Sequence, residues 1–393
     1  MPLRNSSNEA RRALSLVEDD PPLRWQRAVS IAPPQGLGVA RRAAIFALVS
    51  WLPIAIWAAG RGRFLTAPIG EPLLQHYGVH VRCLIAMPLM ILGDATLHAA
   101  GVRYLPQFIR NGLVDEAGRP AFDAVLRAVQ RWRNAPLPWL LLVGVAVGWA
   151  LVDPSATHTD EVSWALNTDR SLGFGGLWFA YVVRPLFVAL LLGWLWRIGL
   201  LVRMFAHLGR LRLSLVPTHP DRAGGLGFVE RLPGAFAPVS LAISATLASR
   251  WAHQIVYHGQ TLSELKLPAA AFVIVWSLIL LSPLLPLMRI MRLTRRAALG
   301  SYAAMVAEQG RLVQRRWVEG TTRTDTPLIE PSGVGVIADA ETMFKAVQSM
   351  RSIAIGKTAI SGILLPVAVP MLAVATLQIP IRELLLGLLK ALL

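Results

Sequence analysis

Two groups of residues have the types and spacing to do chemistry. Asp94, His98 and Arg184 form the first. Each sits in an otherwise apolar run, where a charge is costly unless a partner or water compensates it. Asp94 lies about 11 residues into a run at 83–100, roughly 17 Å deep at 1.5 Å per residue, and Arg184 lies about eight residues, or roughly 12 Å, into a run at 176–198. Those depths predict an Asp94–Arg184 ion pair. His98 follows Asp94 by one turn on the same helix face. The set reads either as a strut locking two helices or as a proton-responsive polar path. A strut needs only the pair, whereas a path needs further polar groups that the sequence does not supply.

The second group is the string VPTHPDRAGGLGFVERLPG at 216–234. Its three prolines oppose a continuous helix. Gly224, Gly225 and Gly227 can align backbone N–H groups into a nest, and with His219, Asp221 and Arg222 beside them an anion or phosphate site is expected. The competing reading is a tight connection whose side chains satisfy its own backbone. No Gly-Lys-Ser/Thr follows the glycines, so this is not a Walker A loop, and no strand precedes them as a dinucleotide fingerprint requires.

Other chemistry is thinly represented. His76 and His80 stand four apart and would share a metal on a helix, but two ligands define no site. HExxH and GxSxG motifs are missing, which weighs against an enzyme without closing that reading, and no cofactor or metal is expected. Cys83 is the single cysteine, which excludes disulfides within the chain and CxxC redox chemistry.

The elements that must position these residues follow from composition. Of 393 residues, 54% are apolar and only 16% charged, against about 25% charged in soluble domains. Mean hydropathy is +0.50. The apolar residues gather in runs long enough to cross a hydrocarbon core of about 30 Å. An all-α polytopic membrane bundle is expected, with about seven spans near 43–60, 83–100, 135–152, 176–198, 235–256, 267–288 and 359–379. Residues 1–40 lack an apolar segment and read as a polar, mobile cytosolic tail, and 381–393 as an interfacial helix.

Charge gives orientation. The segments 1–42, 99–134, 197–234 and 289–357 hold 30 of the 39 Lys/Arg residues, and the alternate loops hold seven. Such alternation predicts an inside N-terminus. Reporter fusions after His207 and Glu319 should therefore report cytoplasm, and fusions within 153–174 the opposite side. A net charge of +16 then reflects cytosolic loops rather than nucleic-acid binding. Arginine outnumbers lysine 35 to 4, a bias of GC-rich bacterial coding, so the bacterial inner membrane is the expected location.

Amphipathic stretches complete the reading. Residues 121–133 place Phe122, Val125, Leu126, Val129 and Trp132 on one stripe, and 289–317 carries Arg289, Arg292, Arg295 and Arg296. Both suit anionic lipid headgroups at the inner face. Gly144 and Gly148, and the Ser240, Ser244, Ala248 and Ala252 stripe, predict close helix contacts. Three functions stay open. The first is a transporter or channel-like protein for a small ion or polar solute. The second is a non-catalytic scaffold or sensor that binds lipid or a partner through its cytosolic loop, and the third an enzyme acting on a phosphate-bearing lipid. A wet cavity reaching Asp94 would favour the first, and a dry core there the second.

Overall fold

A computed structural model describes residues 15–66, 71–151, 162–167, 171–315, 319 and 333–379. Among these, helices dominate and no strand forms beyond one isolated bridge, Leu166 to Leu172. Seven helical segments are long and apolar enough to cross a membrane. They are α2 (Val39–Gly60), α3 (Tyr77–Arg110), the jointed pair α4 (Arg119–Asn134) and α5 (Pro136–Leu151), and α6 (Phe174–Leu208). The set is completed by Gly227–His258, whose regular part is α7 (Ala237–His258), α8 (Leu262–Val313) and α10 (Lys357–Ala375). Helix α9 (Gly333–Ser349) packs against α8. The chain is a multi-pass helical membrane protein.

The helices outrun the apolar runs that announce them. Helix α3 begins at Tyr77, six residues before the expected start at 83, and α8 carries the arginine-rich 289–296 stretch as its own continuation. Polar residues are readily accommodated at the ends of a spanning helix, so hydropathy finds the apolar middle and misses the ends.

The N-terminal segment corrects the expected free tail. Asp20 caps α1 (Pro21–Ala28) by accepting the Leu23 N–H at 2.9 Å, and two prolines open the helix. Val17, Leu23 and Gln26 are buried. Residues 15–32 are thus part of the packed protein. Residues 1–14 and the interfacial helix expected at 381–393 lie outside the described residues.

Packing follows the small residues only in part. On α7, Ser240, Ser244 and Ala248 are buried; the Ser244 hydroxyl donates to the Val367 carbonyl of α10 at 2.7 Å, and Trp276 Nε1 of α8 donates to the Ser240 hydroxyl at 3.1 Å. The other stripe fails: a Cβ built on Gly144 or Gly148 would meet nothing within 4 Å among the described residues. Helix α4 buries Phe122, Leu126 and Val129 and packs on α6, where the Arg203 guanidinium stacks on Trp132. Much of its apolar face therefore packs on protein, while Trp132 stays partly exposed.

Gly93 marks a tight helix crossing. A Cβ there would lie 2.6 Å from the Trp194 ring and 2.9 Å from Val239. The fully buried Trp194 is held in place by donating Nε1–H to the Met90 carbonyl at 3.1 Å. Gly93→Ala is expected to destabilise by about 1–3 kcal/mol through overpacking, read as a lowered melting temperature of the purified protein.

Candidate functional site

Asp94 is bound by two arginines, and neither is Arg184. Its Oδ2 accepts from Arg42 Nη2 at 2.7 Å and its Oδ1 from Arg197 Nη1 at 2.8 Å. Arg197 donates a second bond, 2.7 Å, to Asp20 Oδ2, and Arg42 Nε donates to Gln26 Oε1 at 2.5 Å. All five residues are buried. Two carboxylates face two guanidinium groups, so charge balances within the cluster. Arg184 lies 13 residues from Arg197 along α6, roughly 20 Å away. The expected pair fails because α3 starts earlier than the apolar run, which carries Asp94 further from that end of the helix.

His98 turns toward the N-terminal segment instead of a polar path. Its Nδ1 lies 2.9 Å from the Ser15 hydroxyl and 3.9 Å from the Glu18 carboxylate. Arg133 at the end of α4 donates to the Ser15 carbonyl at 2.6 Å. These contacts and the Asp94 cluster tie residues 15–28 to α2, α3, α4 and α6. The arrangement is a strut.

The glycine loop also satisfies itself. Arg222, Gly224 and Gly225 take φ of 55°, 68° and 94°, which turns successive N–H groups inward. The group they surround is the Asp221 carboxylate, which accepts from Ala223 N at 2.8 Å, Gly225 N at 3.1 Å and Gly227 N at 2.8 Å. His219 Nδ1 sits 2.8 Å from the same carboxylate. Burial alone would raise the Asp221 pKa; the three N–H groups and His219 outweigh it and hold the carboxyl below its ordinary value. Arg222 is exposed, and its backbone, not its side chain, supports the loop. Its carbonyl accepts the Arg351 N–H at 2.7 Å, Arg351 Nη2 donates to the Asp221 carbonyl at 3.1 Å, and Arg351 pairs with Glu230. The protein's own aspartate thus fills the expected anion nest.

A cavity of about 530 Å³ lies elsewhere, between α3, α6 and α7, flanked by Trp149 of α5 and Phe272 of α8. Arg82, Arg184 and Arg250 line it with His76 and His253, and among the described residues no acidic side chain does. Local irregularities place two of the arginines. Arg82 lies within a π-helical turn, Val81–Ala86, and Arg184 directly follows another, Phe179–Val183. Such turns rotate the helix face and are frequent at functional sites. The Arg82 guanidinium stacks over Phe179 and Phe187 at 5.2 and 5.4 Å from the ring centroids, which draws it toward α6. Asp94 does not line this cavity.

On α7, Trp251 is buried, whereas its neighbour Arg250 lines the cavity. Arg82 was missed because it precedes the apolar run and counts there as a loop charge. No protein-family model matches the chain, and neither a curated protein nor a solved structure matches it.

Proposed function

We propose that this protein binds a small anionic solute within its membrane bundle and carries it across a bacterial inner membrane, with its arginine-rich end in the cytoplasm. One observation supports the reading: three arginines and two histidines share a cavity that, among the described residues, no acidic side chain lines. Guanidinium groups bind oxyanions through paired N–H donors, and three of them converge on this cavity. Its volume is in the range of pockets for drug-sized ligands, so it admits a hydrated inorganic oxyanion or a larger organic carboxylate.

A second reading has its own support. The Asp94 strut and the apolar core around it close the bundle on the other side of the cavity. A protein that binds an anion without passing it on, as a membrane sensor does, would keep that core closed. The lipid-phosphate enzyme has no such support, because Asp221 occupies its nest.

Anion-dependent melting of the purified protein, followed by flux in proteoliposomes, tests both. Sulfate, phosphate or a small carboxylate should raise the melting temperature at constant ionic strength, and the rise should vanish in Arg250→Gln. Binding with flux supports the carrier and binding without flux the sensor. No anion-specific stabilisation would defeat both.

A further inference from the structure

We infer that Glu71, His76 and His253 form a binding site for a divalent transition-metal ion, zinc foremost. The three come from separate parts of the chain: Glu71 and His76 precede α3, and His253 lies near the end of α7. One ligand atom from each lies within 4.8 Å of the other two. Glu71 Oε2 is 3.2 Å from His253 Nε2 and 3.8 Å from His76 Nε2. Zinc bonds of 2.0–2.1 Å in a tetrahedron put neighbouring ligand atoms about 3.3 Å apart, so small side-chain movements complete the geometry. Two imidazoles and a carboxylate select zinc and its neighbours over magnesium or calcium, which require oxygen ligands.

Independent features point the same way. Glu71 Oε2 and His253 Nε2 are buried and make no hydrogen bond among the described residues, although buried polar atoms are nearly always satisfied. His253 Nδ1 lies 3.2 Å from the Gln75 carbonyl. A proton on Nδ1 then leaves the Nε2 lone pair facing Glu71, the outer contact that metal-binding histidines commonly make. The two imidazole rings stack at 5.0 Å and 28°, with Nε2 of each near the same carboxylate. Ser163 Oγ hydrogen-bonds His76 Nε2 at 3.2 Å, a contact that a metal on that nitrogen replaces.

The pairing read from sequence, His76 with His80, does not form. His80 Nδ1 accepts from Trp51 Nε1 at 2.9 Å, and its Nε2 lies 3.0 Å from the Leu73 carbonyl. His76 and His253 also line the cavity, so a bound cation adds positive charge to its wall. The metal site stands whether or not an anion binds there.

The test uses the full chain, purified in detergent and stripped with a chelator, titrated with Zn²⁺ and with Co²⁺ in the absence of added anions. One zinc per chain should bind and raise the melting temperature. His253→Ala should weaken binding by more than the roughly 10–100-fold typical of losing an outer-shell partner, and Glu71→Gln should weaken it too, while His80→Ala should leave it unchanged. Should a variant not fold, the wild-type protein still decides the matter. Co²⁺ should give the intense visible bands of a tetrahedral nitrogen–oxygen site, and Zn²⁺ should displace it. The inference is overturned if wild type binds no stoichiometric zinc, if Co²⁺ shows only its weak aqueous spectrum, or if folded His253→Ala binds zinc as wild type does.

Discussion

Asp94→Ala is expected to lower the stability of the folded protein by about 3–5 kcal/mol, the loss typical of removing one partner from a buried ion pair. The carboxylate answers Arg42 from α2 and Arg197 from α6 at 2.7 and 2.8 Å, and all three side chains are shielded from solvent. Removal leaves Arg42 with Gln26 and Arg197 with Asp20, so two guanidinium groups face one carboxylate. Asp94→Asn keeps the shape and loses the charge; a loss close to that of alanine would show that charge balance is the dominant contribution. The effect should also reach the N-terminal segment, which is held through Asp20 and Gln26. Trypsin should cut after Arg24 or Arg27 sooner in the variant than in wild type. Replacing Asp94, Arg42 and Arg197 together by apolar residues of similar size should recover much of the stability, because no charge then remains stranded. Wild-type melting and wild-type proteolysis in Asp94→Ala would remove the strut from this account.

The same cluster shows what was legible in the sequence. The seven spans announce themselves by hydropathy, and Asp94 stands out because it interrupts one. Its partners do not, since Arg42 and Arg197 lie at the edges of their apolar runs, where arginine is ordinary and carries no signal. Depth counted from a run's edge inherits the error of that edge. Six unnoticed residues at the start of α3 paired Asp94 with the wrong arginine on the right helix. Arg82 escaped for the same reason, and its cavity depends on two π-helical turns, which leave no mark on hydrophobic periodicity. Glu71, His76 and His253 were out of reach in another way. They stand 5 and 177 positions apart in the chain, and only the packing of α3 on α7 brings them together. By contrast, the loop at 216–234 was visible from its glycines and prolines. Both of its readings were open in the sequence, because a nest that holds a phosphate and one that holds an internal aspartate require the same residues.

That ambiguity yields a second large expected effect. Asp221→Ala removes the acceptor for three backbone N–H groups at once and leaves a backbone fixed in left-handed conformations at Arg222, Gly224 and Gly225 without the group it surrounds. Hydrogen bonds to a charged acceptor are worth about 1.5–3 kcal/mol each. Water reaches part of this loop and recovers some of that, so a net loss on the order of 3 kcal/mol is expected. His219→Ala removes one contact and should cost less. The pH dependence has a definite sign. The Asp221 carboxyl is held below its ordinary value, so its contribution is complete above the unfolded value near pH 3.9 and is lost as pH falls through the lower folded value. The stability gap between wild type and Asp221→Ala should therefore persist at neutral pH and narrow on acidification below about pH 4. Phosphate should stabilise neither protein through this loop. A gap that instead closed on adding phosphate, with alanine tolerated in its absence, would return the nest to service as an anion site and identify Asp221 as its competitor.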